Sequence, residues 1–298
     1  MSLPEQVELS AGGLSIVIDG GEAADPDDDC LVLGADGIEG WLDMPEEKTA
    51  VSERGQGDGA HDVTDVLYSA RTLTIHFNVN AHSRQGIVSM LADVRRMCAH
   101  REIAVRILDG GLDCTIRGRA TLDASSAYGA DGWLADNTLT VSCERPEFLS
   151  SSPRTAQLHP QDVSLAGGGL SYGAGGKALA YPLSYGLKPA ANTGSNVTVL
   201  ENLGTSRAYP TFTVHGSMPG GVTLVFDNST SLSCTQPVGN VPLMLDCRSR
   251  TATMGGLDVS RTLTARGFPT VPPGGTVNVA MQSSGTGWVD CEVHDTYM

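Results

Sequence analysis

The sequence predicts a mainly β protein of two domains, with one amphipathic helix in the first domain. Apolar and polar residues alternate through most of the chain, which is the pattern of half-buried strands. One segment has a helical period instead, and the composition changes sharply at a Ser- and Gly-rich stretch between the two halves. We place the first domain at residues 1–149, a linker at 150–178 and the second domain at 179–298. A chain of 298 residues is long enough to bury a core in each domain.

The clearest strand of the first domain is predicted at residues 71–80. Leu73, Ile75, Phe77 and Val79 fall on one face of this strand, and Thr, His and Asn side chains fall on the other. The segment from about 83 to 100 follows, with apolar residues at three- and four-residue spacing, which predicts a helix. The predicted apolar stripe of the helix consists of Ile87, Leu91, Val94 and Cys98, widened by Val88 and Met97.

The rest of the first domain is predicted to be a hairpin and a closing strand. The turn Asp109-Gly110-Gly111 joins alternating runs at 103–108 and 112–121, and a Gly-containing turn between such runs is typical of a β-hairpin. A further strand is predicted at 137–144. Before these elements, the stretch from Asp43 to Asp65 has no period and is too long for an ordinary connection. We therefore expect it to be an excursion that forms an interface.

After about residue 179 the pattern predicts strands alone. Gly, Pro and Asn separate the alternating runs, and short strands with regular turn signals favour a β-sandwich. The predicted strands are 196–201, 209–215, 222–226, 241–246, 276–281 and 288–294.

The formal net charge of −15 is concentrated at the start of the chain. Residues 1–70 contain 17 Asp or Glu residues and only two cations, Lys48 and Arg54, so the remaining residues are neutral overall. Nucleic-acid binding requires Lys and Arg to neutralise phosphates, and the sequence has no basic stripe, which argues against specific nucleic-acid binding. No apolar run approaches the ~20 residues that span a bilayer, so no membrane insertion is expected.

The seven cysteines contain no C-x-x-C pair, and several of them interrupt alternating strands. We interpret them as small buried apolar residues rather than zinc ligands or disulfides, which indicates folding in a reducing cytosol.

The motifs that resemble catalytic or metal sites lack the context that such sites need. Ser171 lies in a G-x-S-x-G sequence, but no helical period follows it, so a flexible linker is the better interpretation. The segment 25–29 resembles a calcium loop but has Cys30 where that loop needs Gly. Glu144 and Glu147 could form a glycosidase pair, as could any two of 34 acidic residues. The sequence therefore predicts no catalytic residue, no cofactor and no metal site.

The order of the features in this chain resembles the distal tail proteins (Dit) of long-tailed, non-contractile bacteriophages. In the first half the resemblance lies in the excursion ending at Gly55-Gln-Gly-Asp-Gly59, the strand at 71–80, the single helix, the Asp109 hairpin and the closing segment 145–149. In the second half it lies in the stretches 199–216, 243–250 and 272–279. The Gly-rich linker and the 25–29 cluster depart from the family pattern.

The resemblance implies an N-terminal tail-tube-like β-barrel and a C-terminal galectin-like β-sandwich. It also implies a non-enzymatic, homo-hexameric ring at the tip of the virion tail, made in the host cytoplasm. The implied ring joins the tail-tube protein to the tip hub, and its hole passes DNA and the tape-measure protein.

Two groups of residues are expected to serve such a ring. Arg54 is the lone arginine of the acidic stretch, so we expect it to form an ion pair between subunits. We expect the nearby Gly57, Asp58 and Gly59 to lie in the same subunit interface. Acidic side chains that face the channel would keep DNA from binding as it slides through. The candidate channel-lining residues are Asp25, Asp27, Asp28, Asp29, Glu46 and Glu47.

Three other functions remain open at this point. The second domain could be a carbohydrate-binding adhesion module that contacts host glycans, because Trp288 alternates in register with Asp290, Glu292 and His294 and therefore lies on a polar strand face. A β-rich hydrolase that uses Ser171 is a second alternative. A tail-tube subunit or another baseplate protein is the third, although a simple tube subunit would need the first domain alone.

Overall fold

The computed structural model describes residues 3–20, 29–48, 52–58, 66–125, 133–160, 195–227 and 229–298. The predicted mainly β fold is confirmed. The chain divides into two compact units, of which the first comprises Met1–Ser151 with Tyr297–Met298 and the second comprises Ser152–Thr296.

The first unit is built around a closed barrel of seven strands. Its strands, in chain order, are β1 (Gln6–Ala11), β2 (Leu14–Asp19), β3 (Cys30–Glu39), β4 (Arg71–Asn80), β5 (Ile103–Asp109), β6 (Leu112–Asp123) and β7 (Trp133–Cys143). The sheet runs β6-β5-β1-β2-β3-β4-β7, and pairing of β7 with β6 closes it. The short strand β8 (Phe148–Ser150) pairs with β6 outside the closed ring.

The buried face predicted for the strand at 71–80, which is β4 of the barrel, is confirmed. Leu73, Ile75, Phe77 and Val79 of β4 are all buried in the core of the first unit. On either side, β4 pairs in antiparallel register with β3 and β7 over most of its length. A strand that is buried on one face and paired on both edges leaves no choice of register, because a slip by one residue would expose all four apolar side chains.

Among the described residues of the first unit, one segment is helical, and this helix, α1 (Arg84–Cys98), packs against the barrel core. Its N-cap is Ser83, whose Oγ accepts a hydrogen bond of 3.1 Å from the backbone N–H of Gly86. The predicted contribution of Val88 to the buried stripe is wrong, since its side chain is 51% exposed. A helix turns by about 100° per residue, which carries Val88 away from the stripe that Ile87 begins. The buried residues are Ile87, Leu91, Val94 and Met97.

The predicted hairpin is present as β5 and β6, joined by Gly110 and Gly111. The φ angles of these two glycines are +55° and +90°, and a two-residue turn with positive φ at both central positions matches the twist of the flanking strands. Asp109 therefore pairs directly with Leu112, and the hairpin register is fixed at its turn.

An ion-pair network on the β5–β6 hairpin gives a testable contribution to stability. Arg106 donates from Nε and Nη2 to the two carboxylate oxygens of Asp113, at 2.7 Å each, and from Nη1 to Glu8 at 3.3 Å. The hydrogen bonds from Arg106 hold the pKa of the Asp113 carboxyl below its ordinary value. The charged form of Asp113 therefore stabilises the fold at neutral pH, and this contribution is lost as the pH falls below the ordinary aspartate pKa.

We expect Asp113→Asn to lower the free energy of unfolding by about 1 kcal/mol at pH 7, because this bidentate pair is partly exposed to solvent. The difference from the unsubstituted protein should shrink as the pH falls from about 4 towards 3. Urea denaturation at a series of pH values measures both effects. Asp123→Asn, at an exposed position at the end of the same strand, is the control and should show neither.

The second unit is a β-sandwich of two antiparallel sheets. Its strands are β9 (Arg154–Leu158), β10 (Val197–Asn202), β11 (Thr211–His215), β12 (Val222–Phe226), β13 (Ser231–Cys234), β14 (Leu243–Asp246), β15 (Thr251–Met254), β16 (Leu257–Asp258), β17 (Leu263–Arg266), β18 (Gly275–Met281) and β19 (Trp288–Val293). One sheet has the order β10-β18-β12-β13-β17, and the other has the order β16-β15-β14-β11-β19-β9. Both contribute to one buried core, in which the rings of Phe212 and Phe226 lie 6.0 Å apart. A one-turn 3-10 helix at Ser260–Thr262 completes the described elements of this unit, and the final short strand β20 (Thr296–Tyr297) belongs to the barrel sheet, next to β8.

Part of the segment that the sequence assigned to the linker forms strand β9. This strand pairs with β19 from Leu158↔Val289 to Arg154↔Val293, and the Leu158 side chain is buried in the second core. The strand was missed because Ala156 and Leu158 are its only apolar residues, and two apolar positions are too few to define a period. The Gly-rich part of the predicted linker lies outside the described residues.

Candidate functional site

The first candidate site begins where the chain leaves the barrel after β3. Gly40 has a φ of +80°, and a Cβ atom at this position would lie 2.4 Å from the carbonyl oxygen of Thr72. A residue with a side chain would therefore collide with strand β4 at this bend.

Arg71 holds the chain at this bend. Its guanidinium donates to the backbone carbonyls of Gly40 (2.5 Å), Asp43 (2.7 Å) and Pro146 (2.8 Å), and its Cζ lies 4.7 Å from the centre of the Phe148 ring. Burial lowers the pKa of Arg71, and the residue is only 4% exposed. A buried charge with this set of acceptors fixes three chain segments to one point.

Trp41 adds a second anchor beside Arg71. Its ring meets Phe148 edge-to-face at 4.7 Å, and its indole N–H donates to the carboxylate of Asp109 at 2.7 Å. An indole with a satisfied N–H can be buried without loss of a hydrogen bond. The base of the excursion is therefore rigidly attached to the barrel.

Beyond these anchors the chain forms a two-stranded ribbon, which we define as residues 42–48 and 66–70. Glu47 and Tyr68 form an antiparallel bridge. The backbone N–H of Lys48 donates to the carbonyl of Leu67 at 2.7 Å, and that of Ser69 donates to the carbonyl of Glu46 at 2.8 Å. Pairing between its own two segments orders the ribbon.

The ribbon exposes large apolar side chains. Leu42 is 83% exposed, Met44 is 64% exposed and Leu67 is 59% exposed. Single exposed apolar residues are normal on protein surfaces, but three such residues on one paired ribbon are typical of a surface that another chain covers. The ribbon is our first candidate interaction surface.

The residues predicted to form a subunit interface belong to the same excursion. Arg54, Gly57 and Asp58 lie in the described segment 52–58, where every residue is exposed. Gly59 lies outside the described residues. The sequence did not identify Leu42, Met44 or Leu67, and their flanking polar residues give no period that could have revealed them.

The residues predicted to line a channel fall into two groups. Glu46 and Glu47 are exposed on the ribbon, whereas Asp29 precedes β3. Asp29 Oδ1 accepts hydrogen bonds from the backbone N–H of His82 and from its Nδ1, at 2.8 and 2.9 Å, and the side-chain bond from His82 lowers the pKa of Asp29. Asp25, Asp27 and Asp28 lie outside the described residues.

The seam between β2 and β3 is a second feature of the barrel. These two strands are parallel and share a single pair, Asp19↔Val32. A cleft of about 320 Å³ lies along the seam, and its lining includes Asp19, Asp29 and Asp93. Gln6 donates to Asp19, His82 to Asp29 and Arg96 to Asp93. These carboxylates already serve the fold, which makes the cleft a poor candidate for a catalytic site.

The remaining sequence motifs that could carry chemistry either lie beside arginine side chains or fall outside the described residues. Glu144 pairs with Arg119 at 3.3 Å, and buried Glu147 lies 3.7 Å from Arg145. Ser171 lies outside the described residues. Within the described ranges, no group of three His, Cys, Asp or Glu side chains is placed to hold a metal ion.

In the same part of the chain, no helix combines the length and apolarity of a membrane span.

All seven cysteines lie in the described residues and none forms a disulfide there, and five of the seven are buried. Burial raises the pKa of Cys114 and of Cys143 to about 11, and that of Cys291 to about 12. Thiols with such pKa values stay protonated at neutral pH and are poor nucleophiles. For these five residues the prediction of small buried apolar side chains is confirmed.

Comparison with solved structures identifies known proteins that have the same fold as this chain. The Dit protein (gp 19.1) of phage SPP1, described as a paradigm of the hub adsorption apparatus in phages that infect Gram-positive bacteria, superposes with a TM-score of 0.60. The match covers 98% of this chain and 99% of that chain, at 10% sequence identity. The chain has the fold of a phage distal tail protein.

A second match supports the same fold. A chain of the phage P2 baseplate, in its activated conformation with calcium, gives a TM-score of 0.53 at 8% identity, with 97% of each chain covered. The Dit-like fold predicted from the order of the sequence features is therefore confirmed. No protein-family model matches the chain, and no curated protein matches its sequence.

Proposed function

We propose that this chain is a non-enzymatic structural component of a phage tail, in which six copies form a ring at the tail tip. The observation that carries the proposal is the match of both units, in one chain and over its full length, to the Dit protein of phage SPP1. A fold by itself does not determine function, but a match to both units in one chain is more specific to a class of protein than a match to either unit alone.

The ribbon supports the assembly part of the proposal. The barrel is closed, so its strands pair with one another and leave few edges for a neighbouring copy. Leu42, Met44 and Leu67 are instead available on an ordered ribbon with a rigid base. In a closed ring each copy offers one surface to the next copy and receives another, so a ribbon that lies across its neighbour is repeated at every interface. Arg54 and Asp58 would supply polar contacts in the same interface.

The acidic start of the chain supports the channel part of the proposal. Six copies place the excess of acidic residues in positions 1–70 around one axis. With Asp29, Glu46 and Glu47 facing the lumen, like charge would repel the DNA backbone and leave it free to slide. The ring would join the tail-tube protein on one side and the tip hub on the other. The tape-measure protein would pass through it before the DNA does.

The mass of the purified full-length protein in solution, followed by negative-stain images, tests the ring. We expect a species of about six times the chain mass of 31.1 kDa, seen as a ring with a central hole. A monomer at every concentration, or an open filament in place of a closed ring, would contradict the proposal. A reconstruction of the tail tip would test the channel, because a lumen lined by Arg is incompatible with repulsion of DNA.

A further inference from the structure

The outer face of the six-stranded sheet in the second unit carries mostly polar side chains, with Met244 as an exposed apolar exception. The core side of this sheet is filled by residues such as Phe212 and Val214, so their neighbours in β11 point outward. The strand registers define two cross-strand rows on the outer face. One row is Gln157, Asp290, Thr213, Met244, Thr253 and Asp258, and the other is Thr155, Glu292, Thr211, Asp246 and Thr251.

An ordered tryptophan lies beside these rows. Trp288 is 36% exposed, and its ring stacks on that of His215 with centroids 5.2 Å apart and an angle of 14° between the planes. Its indole N–H points to Oδ2 of Asp290 at 3.4 Å. Stacking covers one face of the indole, so the exposed surface belongs to its other face and its edges. A large apolar ring held in one orientation at the surface is a ready platform for a flat ligand.

Asp290 organises this platform. Its Oδ1 accepts a hydrogen bond of 2.8 Å from the amide nitrogen of Gln157, and its Oδ2 lies 3.0 Å from Nε2 of His215. Since a carboxylate can only accept, His215 donates from Nε2. One carboxylate therefore fixes the amide, the imidazole and the indole together. A carboxylate has about four acceptor positions, so Asp290 retains capacity for a ligand hydroxyl.

The charge and chemistry of the face select the class of ligand. Asp290 and Glu292, on the same strand face as Trp288, give this area a negative charge, which disfavours phosphate, sulfate or sialic acid groups. Acidic and hydroxyl side chains accept hydrogen bonds from ligand hydroxyls, and the free indole face suits a ring of C–H groups. A neutral sugar has both kinds of group. A cation could also lie over an indole, and the choline chloride probe described below distinguishes that alternative.

We propose that this face binds a neutral saccharide, with Trp288 stacking on one pyranose ring and Asp290 and Glu292 accepting hydrogen bonds from its hydroxyls. Glu292 is held by Nε2 of His294 at 3.2 Å and lies in register with Thr211 and Thr155, so the second row extends the binding surface. The site belongs to the second unit alone and does not depend on the formation of a ring.

A glycan array of neutral and anionic glycans, probed with the full-length protein, tests the proposal. The neutral glycan that binds best is then titrated by isothermal calorimetry into the protein and its variants. We expect Trp288→Ala to weaken binding by about thirtyfold, the typical effect of removing a central aromatic residue. Trp288→Phe should retain part of the affinity, and Asp290→Asn should reduce it. Val199→Ala, at an exposed position on the other sheet, is the matched control and should bind as the unsubstituted protein does.

Three results would overturn the proposal. The first is an array on which no neutral glycan binds, and the second is binding that Trp288→Ala leaves unchanged. The third is preferential binding of choline chloride, used as a cationic probe, which would identify an ammonium site instead. The oligomeric state of each variant is measured in parallel, so that a loss of saccharide binding is separated from a loss of assembly.

Discussion

Replacing Arg71 with alanine is expected to lower the free energy of unfolding by about 4 kcal/mol, because the substitution removes a buried hydrogen-bonded charge and leaves its partners unsatisfied. The three carbonyls of Gly40, Asp43 and Pro146 would lose their donor, and the Phe148 ring would lose the guanidinium stacked on it. Urea denaturation followed by circular dichroism measures the loss. The ribbon should also become susceptible to proteolysis, since Arg71 fixes its base.

Two further variants separate the role of the guanidinium from that of charge alone. Arg71→Lys keeps the positive charge, but all three of its donors are on one nitrogen, whereas Arg71 donates from both Nε and Nη1 and its planar guanidinium lies over the Phe148 ring, so the variant should be intermediate in stability. Arg119→Ala removes a 66% exposed arginine whose Glu144 partner lies at 3.3 Å, and it should cost less than about 1 kcal/mol. If Arg71→Ala were no more destabilising than Arg119→Ala, Arg71 would not anchor the ribbon.

The sequence predicted the faces of the long strands because those faces follow from alternation alone. In β4 the residues predicted to be apolar and buried are buried, and β12 matches its predicted bounds. The hairpin of β5 and β6 was predicted as well, since Gly110 and Gly111 mark a turn that few other residues can form. Short-range patterns suffice where one face of a strand is apolar throughout.

Two of the missed strands had a detectable signal. Val7 and Leu9 in β1, and Ile16 and Ile18 in β2, alternate on either side of Gly12-Gly13, which is the pattern of a hairpin. Strand β3 was harder to detect, because its pairing with β4 shifts between Leu33 and Ile38. A bulge breaks the period of two on which such predictions depend.

The candidate sites were less predictable than the strands, because exposure at these positions is decided by tertiary structure. Trp41 and Leu42 are adjacent and both apolar, yet the first is buried and the second is 83% exposed. Arg71 shares the strand face of Leu73, and it is buried there although charged side chains usually lie at the surface. Trp288 was placed on a polar strand face from its register with Asp290 and Glu292, and this prediction is confirmed.

Substitution of Leu42, Met44 and Leu67 with serine is expected to abolish assembly of the proposed ring while leaving the fold intact. The three side chains are exposed in a single copy, so the free energy of unfolding should change little. Burial against a neighbour would contribute roughly 1.5 kcal/mol or more for each side chain, so the loss of all three should weaken each interface by about a thousandfold. Mass measurement in solution should then find monomers at concentrations where the unsubstituted protein is fully assembled.

The matched control for this variant lies in the second unit. Val197, Val199 and Leu203 are 47%, 53% and 56% exposed, and their replacement with serine likewise removes three exposed apolar side chains. We expect this control to assemble as the unsubstituted protein does. If both triple variants dissociate equally, the effect follows from the general loss of surface hydrophobicity, and the ribbon does not form the subunit interface. If neither dissociates, the copies meet through another surface, because a ring whose main contact has lost three apolar side chains cannot retain its affinity.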